Sequence, residues 1–219
     1  MDSVSGVGVL DKAVSVLHAL ERRGPLGLAD LQEAAGLPRA TAHRLAVALE
    51  QHGLVRRDAE GRFELGLGLV SLGKTASERL PVAAAARPVM EALRDRTGES
   101  VQLYVVEGAG RRCVVSLQST HGLRWIVPEG ALLPLDRGSA GRALIAAPSA
   151  KRAAAWVESV EEREKGVASV SAPVYGASGV VVAALSVSGP VERLTRSPGK
   201  QFGRLVVSAA ADISTRIAG

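Results

Sequence analysis

Residues 31–41, Leu-Gln-Glu-Ala-Ala-Gly-Leu-Pro-Arg-Ala-Thr, leave the backbone few choices. Gly36 puts a residue free of Cβ strain where one helix must end, and Pro38 fixes φ where the next one starts. Beyond it, Ala42, Leu45, Ala46 and Leu49 recur at i, i+3, i+4 and i+7. That spacing buries one stripe of a helix over 38–52 and turns Arg39, Ala40, His43, Arg44 and Val47 outward. A short helix is expected at 29–35. A supporting helix is expected at 9–21, where Leu10, Ala13, Val14, Leu17 and Leu20 share helical spacing and Gly24-Pro25 closes the run. Gly53 ends the third helix, and 54–57, 58–61 and 62–65 read as strand, tight turn and strand. Three helices and a hairpin make a winged helix-turn-helix.

Composition excludes several classes. The chain has 219 residues, 47% of them apolar and 22% charged, which suits one large or two small globular domains. Cys113 is the only cysteine, so an internal disulfide framework is excluded, and 1–3 lack the basic start of a signal peptide. The run 180–185 is too short to span a bilayer. A reducing cytoplasm is the expected location. The net charge of +5 says little about partners, because 1–75 holds nine Lys/Arg and nine Asp/Glu. Local placement says more: over 36–57, Arg39, Arg44, Arg56 and Arg57 face Glu50 alone.

The rest of the chain divides further. Glycines 66, 68 and 73 break an apolar stretch, and 81–96 can form a helix ending at Thr97-Gly98 that serves as a connector. The expected domains are therefore 1–75, a linker helix within 76–97, and 98–219. Strands are expected at 100–106, 111–117 and 123–127, helices at 138–147 and 150–160, a hairpin of 167–175 with 180–188, and a closing helix near 200–217. Strands, then helices, then strands describe an α+β domain.

In the second hairpin, a turn centred on Ala177 and Ser178 would place Ser169 opposite Ser186. Alternation then gives one face to Ala168, Val170, Ala172, Val174, Val181, Ala183, Leu185 and Val187. The other face carries Ser169, Ser171, Ser186 and Ser188, small hydroxyls that donate and accept without filling space. Such a floor suits a small polar or anionic metabolite, and equally suits a face that is merely wet.

Gly-Leu-Pro-Arg-Ala-Thr-Ala-His-Arg-Leu at 36–45, Gly-Arg-Phe-Glu-Leu-Gly at 61–66 and Ala-Ala-Leu-Ser-Val-Ser-Gly-Pro at 183–190 resemble the IclR family of bacterial transcriptional regulators. The resemblance covers nearly the whole chain. It implies a winged helix joined by a helix to a GAF-like effector-binding domain with an antiparallel sheet. The segment 166–174 resembles the actinobacterial branch associated with leucine and other amino-acid biosynthesis. By the same resemblance, effector contacts come from Ser169, Ser186 and Ser188 and from backbone near Gly138, Ser139 and Ala140. The stretch between Gly141 and Glu161 is shorter than the family's, which leaves the pocket less covered or absent. The family's acidic position before the last hairpin falls at Glu161 or Glu162.

The exposed groups suggest how double-stranded promoter DNA would be read. A helix fits the major groove, where Arg39 or Arg44 can pair bidentately with guanine. Thr41 suits a phosphate, His43 can cap, pack or touch a phosphate, and Arg56, Arg57 and Arg62 on the wing would add salt-sensitive contacts. One module buries too little surface for tight specificity, so a homodimer or homotetramer on a palindromic operator is expected. The effector would be an amino acid or small carboxylate, unless the second domain only dimerises. The rival reading is a cysteine-dependent enzyme using Cys113 with His121. Cys113 in a strand-like run reads better as a small core residue, and the chain lacks a nucleophile elbow, a P-loop and metal-ligand spacings. No cofactor or metal is expected, and no catalytic residue.

Overall fold

The computed structural model describes residues 7–145 and 155–218. The chain divides after Ala76 into two compact units. In the first, α1 (Gly8–Arg23), α2 (Leu28–Ala35) and α3 (Arg39–Gln51) precede a hairpin of β1 (Val55–Arg57) and β2 (Phe63–Leu65). Gly36 ends α2 at φ 65°, with its N–H directed to the carbonyls of Gln32 and Glu33, and Pro38 is the N-cap of α3. The buried stripe of α3 is Ala42, Ala46 and Leu49, with Leu45 packed at its edge. Phe63 is fully enclosed and exchanges both backbone hydrogen bonds with Leu26 at 2.9 Å, which ties the wing to the α1–α2 connection.

The stretch containing glycines 66, 68 and 73 is not a break but mostly a helix, α4 (Gly68–Glu78). Gly68 donates to the Gly53 carbonyl at 3.0 Å, so the start of α4 packs where a side chain would clash with backbone. The helix at 81–96 is α5 (Pro81–Thr97), and it is no free-standing connector. Val82, Ala83, Ala86, Met90 and Leu93 bury it in the core of the second unit.

That unit is built on β3 (Ser100–Glu107), β4 (Gly110–Leu117), β5 (Leu132–Pro134), β6 (Val157–Val160), β7 (Val167–Tyr175) and β8 (Val181–Pro190). All neighbours are antiparallel, in the order β5-β4-β3-β8-β7-β6. Helix α6 (Gly138–Ile145) follows β5, and α7 (Val191–Leu194) and α8 (Pro198–Ala218) close the chain. One sheet face packs Val101, Leu103, Val170, Leu185 and Val187 against α5 and α8. The other packs Tyr104, Cys113 and Ala184 against Ala140, Ala143 and Leu144 of α6. The fold is α+β, as the succession of strands, helices and strands suggests. No helix among the described residues is long and apolar enough to cross a membrane.

Three expectations require correction. Residues 123–127 form no strand: Leu123 and Ile126 are exposed, and the Trp125 carbonyl accepts from Ser100 Oγ at 2.7 Å instead of joining a ladder. The edge partner of β4 is β5, whose approach begins with Cys113 N–H donating to the Ala131 carbonyl. Residues 157–160, expected as helix, form β6 on the edge of β7, a pairing suited to β-branched Val157 and Val160. The earlier part of that expected helix, and the end of the one at 138–147, lie outside the described residues. In the last hairpin Ser169 faces Ser188 and Ser171 faces Ser186, because the turn sets Tyr175 opposite Val181 and an irregularity at Val174/Tyr175 adds one residue more. The displacement is two residues, so the faces are unchanged.

Candidate nucleic-acid interface and ligand pocket

On α3, Arg39, Ala40, His43 and Arg44 are exposed and Thr41 is half-buried. Arg39 and Arg44 make no hydrogen bond or ion pair among the described residues. Thr41, His43, Arg44 and Val47 share a broad groove with Val9 and Lys12 of α1. Lys12 was not singled out by its sequence position, since α1 reads as a supporting helix. The signal available was its polarity within the apolar periodicity of 9–21.

The wing arginines are differently placed. Arg56 pairs with Glu64 at 2.9 Å, and Arg57 pairs with Glu50 at 3.3 Å while its guanidinium lies 4.2 Å from the Phe63 ring centroid. Arg62 donates to Asp58 at 2.7 Å and approaches Glu60 at 3.3 Å. The hydrogen bond from Arg62 to Asp58 pushes the guanidinium pKa up. Against burial, which raises it, hydrogen bonds from Arg62 and from Glu60 N–H hold the Asp58 carboxyl below its ordinary range. Each wing arginine thus has an acidic partner, whereas Arg39 and Arg44, on the outward face of α3, have none among the described residues.

In the second unit, the first turn of α6 faces the serine floor of β7 and β8. Gly138, Ser139, Ala140, Ser169, Ser186 and Ser188 line one small, partly open pocket with a cavity volume of about 30 Å³. Ser139 Oγ lies 2.7 Å from both Ser169 Oγ and Ser171 Oγ, and Ser188 Oγ donates to Gln102 Oε1 at 2.8 Å. Ser186 is a buried residue whose hydroxyl borders the pocket and has no protein partner among the described residues. Tyr104, Trp125, Arg111 and Arg163 also line the pocket. Arg111 was missed in the sequence. The signal was its place two residues from Cys113 in a strand, which puts both on one face.

Of the two candidate acids, Glu162 is the one beside α6: its carboxylate accepts from Gly138 N–H at 3.1 Å and pairs with Arg142. Burial raises its pKa, but these hydrogen bonds outweigh that and hold it below the ordinary carboxylate range. Glu161 instead accepts from Gly166 N–H at 2.9 Å and pairs with Arg196. Cys113 is fully buried, and burial pushes its thiol up to about 12, so no thiolate nucleophile forms there. His121 is exposed on a loop.

A winged helix with unpaired arginines on its outward helix, followed by an α+β unit, defines the class of two-domain DNA-binding regulators. The family model of the IclR helix-turn-helix domain matches residues 9–59, and that of the bacterial transcriptional regulator IclR C-terminal region matches 74–159 and 149–215. The transcriptional repressor IclR of Escherichia coli (strain K12) is 26% identical, over 91% of this chain and 85% of its own length. The glycerol operon regulatory protein of Streptomyces coelicolor is 30% identical, over 85% of this chain and 86% of its own. A solved IclR homologue from Microbacterium hydrocarbonoxydans, complexed with 4-hydroxybenzoate, superposes with a TM-score of 0.80 at 22% identity, covering 95% of this chain and 98% of that one. The chain belongs to the IclR family: it is a DNA-binding transcriptional regulator and not an enzyme.

The alignment to the Escherichia coli repressor runs over 234 positions although this chain has 219 residues. The relative therefore carries residues that this chain lacks. The two pieces of the C-terminal family match meet at 149–159, within the stretch that reads as shortened.

Proposed function

We propose that the protein binds a palindromic promoter operator as a homodimer or homotetramer, with Arg39 and Arg44 reading bases, and that a small polar metabolite in the serine-floored pocket tunes occupancy. The observation that carries the DNA contact is the contrast between these free guanidinium groups and the neutralised wing. A free arginine can present its fork to guanine O6 and N7, while a wing arginine must first give up an ion pair. Thr41, His43 and Lys12 border the same groove and suit phosphate, and Arg56, Arg57 and Arg62 supply weaker, salt-sensitive contacts.

Ser186, with its unspent hydroxyl, and the α6 turn at Gly138, Ser139 and Ala140 receive the ligand, with Ser169 and Ser188 beside them. Control of amino-acid biosynthesis is the finer reading, supported by the resemblance of 166–174. A domain that only dimerises is favoured by one observation: Ser139, Ser169 and Ser171 already satisfy one another.

The test is the affinity for the protein's own upstream promoter against random DNA of equal length at physiological salt. Preference by about a thousandfold or more supports a specific regulator of that promoter. Equal, strongly salt-dependent binding to both rejects that operator. Promoter affinity that no amino acid or small carboxylate alters favours the dimerisation-only domain.

A further inference from the structure

Two buried donors of the second unit lack an acceptor among the described residues. Arg111 is 1% exposed, yet its Nε has no acceptor, and neither has Gln102 Nε2 on a side chain that is fully enclosed. Among the described residues of this unit, these are the only buried side-chain polar atoms without a partner, and both are donors. The hydrogen bonds that Arg111 does make run from Nη1 to the carbonyls of Pro134 and Arg137. Carbonyl oxygens satisfy hydrogens but do not cancel charge. No carboxylate lies within ion-pair distance of this guanidinium among the described residues, and Asp136 acts on it only at longer range. A buried, unneutralised cation is costly unless something compensates it.

The surroundings suggest what the compensation is. Arg111 lines the pocket with Ser139 and Ala140, whose N–H groups belong to the first turn of α6 and have no intrahelical acceptor. That helix end carries partial positive charge, and Glu162 occupies only its Gly138 N–H. The glycines of the turn make the juxtaposition feasible. A β-carbon at Gly141 would fall 2.7 Å from Arg111 Nη1, and one at Gly138 would fall 3.3 Å from Nη2. Gln102 stands opposite Ser186 in the ladder and is bonded to Ser188, so the second unspent donor lies against the same floor. Arg163 adds another cation at the wall, 5.6 Å from the Trp125 ring centroid. The acid lining the pocket is Glu164, which is exposed.

We propose that Arg111 is the anchor of the effector: its guanidinium, together with the first turn of α6, holds a carboxylate, and the pocket prefers acids without an α-ammonium over the corresponding amino acids. The inference rests on the effector role proposed for this pocket and decides between its two ligand classes. A carboxylate supplies acceptors to the unspent donors and cancels the charge. An α-ammonium adds donors and a like charge where donors already lack acceptors.

The test titrates the full-length protein calorimetrically with two matched pairs, 4-hydroxybenzoate against 4-hydroxybenzamide and 3-methyl-2-oxobutanoate against L-valine. Within a pair the shape is nearly constant and the charge changes. The wild type is expected to bind at least one of the acids, and its partner on the order of tenfold more weakly. Arg111→Gln is expected to lose about tenfold in affinity for that acid, and Gln102→Met to lose less. Should Arg111→Gln fail to melt cooperatively, the wild-type discrimination and Gln102→Met carry the test. Acid and amide binding alike, valine binding better than its oxo acid, or Arg111→Gln keeping its acid affinity within about twofold would each overturn the anchor while leaving a working pocket. No binding of any of the four, with promoter affinity intact and unmodulated, overturns the anchor and the effector role together.

Discussion

Trp156 packs its indole into a notch at Gly203 of α8, where a β-carbon would stand 2.5 Å from ring atom Cδ2 and 2.6 Å from Cε2. Gly199, one turn earlier, leaves similar room, and its N–H donates to Glu158 Oε2 at 2.7 Å. The start of β6 is therefore fastened to α8 by an aromatic latch and a helix cap. Gly203→Ala should force the ring or the helix to move and destabilise the second unit by about 1–3 kcal/mol, the usual range for overpacking. Urea unfolding monitored by circular dichroism measures this, and an unchanged midpoint would mean that the notch tolerates a methyl group.

A contrast between arginines yields the second expectation. Arg44 is free and Arg62 is held by Asp58. Arg44→Ala should abolish specific binding and leave the fold intact, with about 1–3 kcal/mol lost for each bidentate base contact. Arg62→Ala should weaken operator and random DNA alike and reduce the salt slope by less than about 0.9, the value for a full phosphate contact. Fluorescence anisotropy at several salt concentrations separates the two, and unchanged discrimination by Arg44→Ala would remove its assigned role.

The divide between what was legible in the sequence and what was not follows the range of the interactions. The helix-turn-helix was legible because Gly36, Pro38 and the stripe of α3 are local signals that agree. The serine floor was legible because a two-residue slip in register preserves which face a side chain occupies. The structure of 123–127 was not, since the Trp125 carbonyl is satisfied by Ser100, a residue distant in sequence. Nor was β6, whose pairing depends on an available edge of β7. The neutral wing also escaped notice: Arg57 meets Glu50 across seven positions, and counting charges along the chain cannot pair them. Arg111 was hidden because arginine is ordinarily a surface residue.

Glu162 gives a pH expectation whose sign is fixed by its lowered pKa. A carboxyl that titrates lower in the folded state stabilises the fold above its unfolded pKa, and that contribution disappears as pH falls through the folded value. Wild type should therefore exceed Glu162→Gln in stability near neutrality, and the gap should close on acidification below the ordinary carboxylate range. Added salt should narrow the gap too, because both Glu162 and Arg142 are partly exposed. Asp58 and Glu107 also titrate low, but they are common to both proteins and cancel in the difference. A gap that widens in acid would contradict the assignment of Glu162 as a charged cap on α6.

Ser186 gives the most direct reading of the pocket. Its hydroxyl borders the pocket from β8 and is unspent, whereas Ser139, Ser169, Ser171 and Ser188 are already bonded to protein. Ser186→Val replaces that hydroxyl by methyl groups of a residue that favours strands, so the sheet should survive. A ligand that bonds Ser186 loses about 0.5–1.5 kcal/mol and meets added bulk at the floor. Modulation can be no larger than the ligand's differential affinity for the two forms of the protein, so weakening the bound form shrinks the response directly. The measurement is operator affinity with and without 3-methyl-2-oxobutanoate, each protein referred to its own ligand-free value. Loss of the shift in Ser186→Val places the effector on this floor; a shift equal to that of the wild type moves the response to another surface.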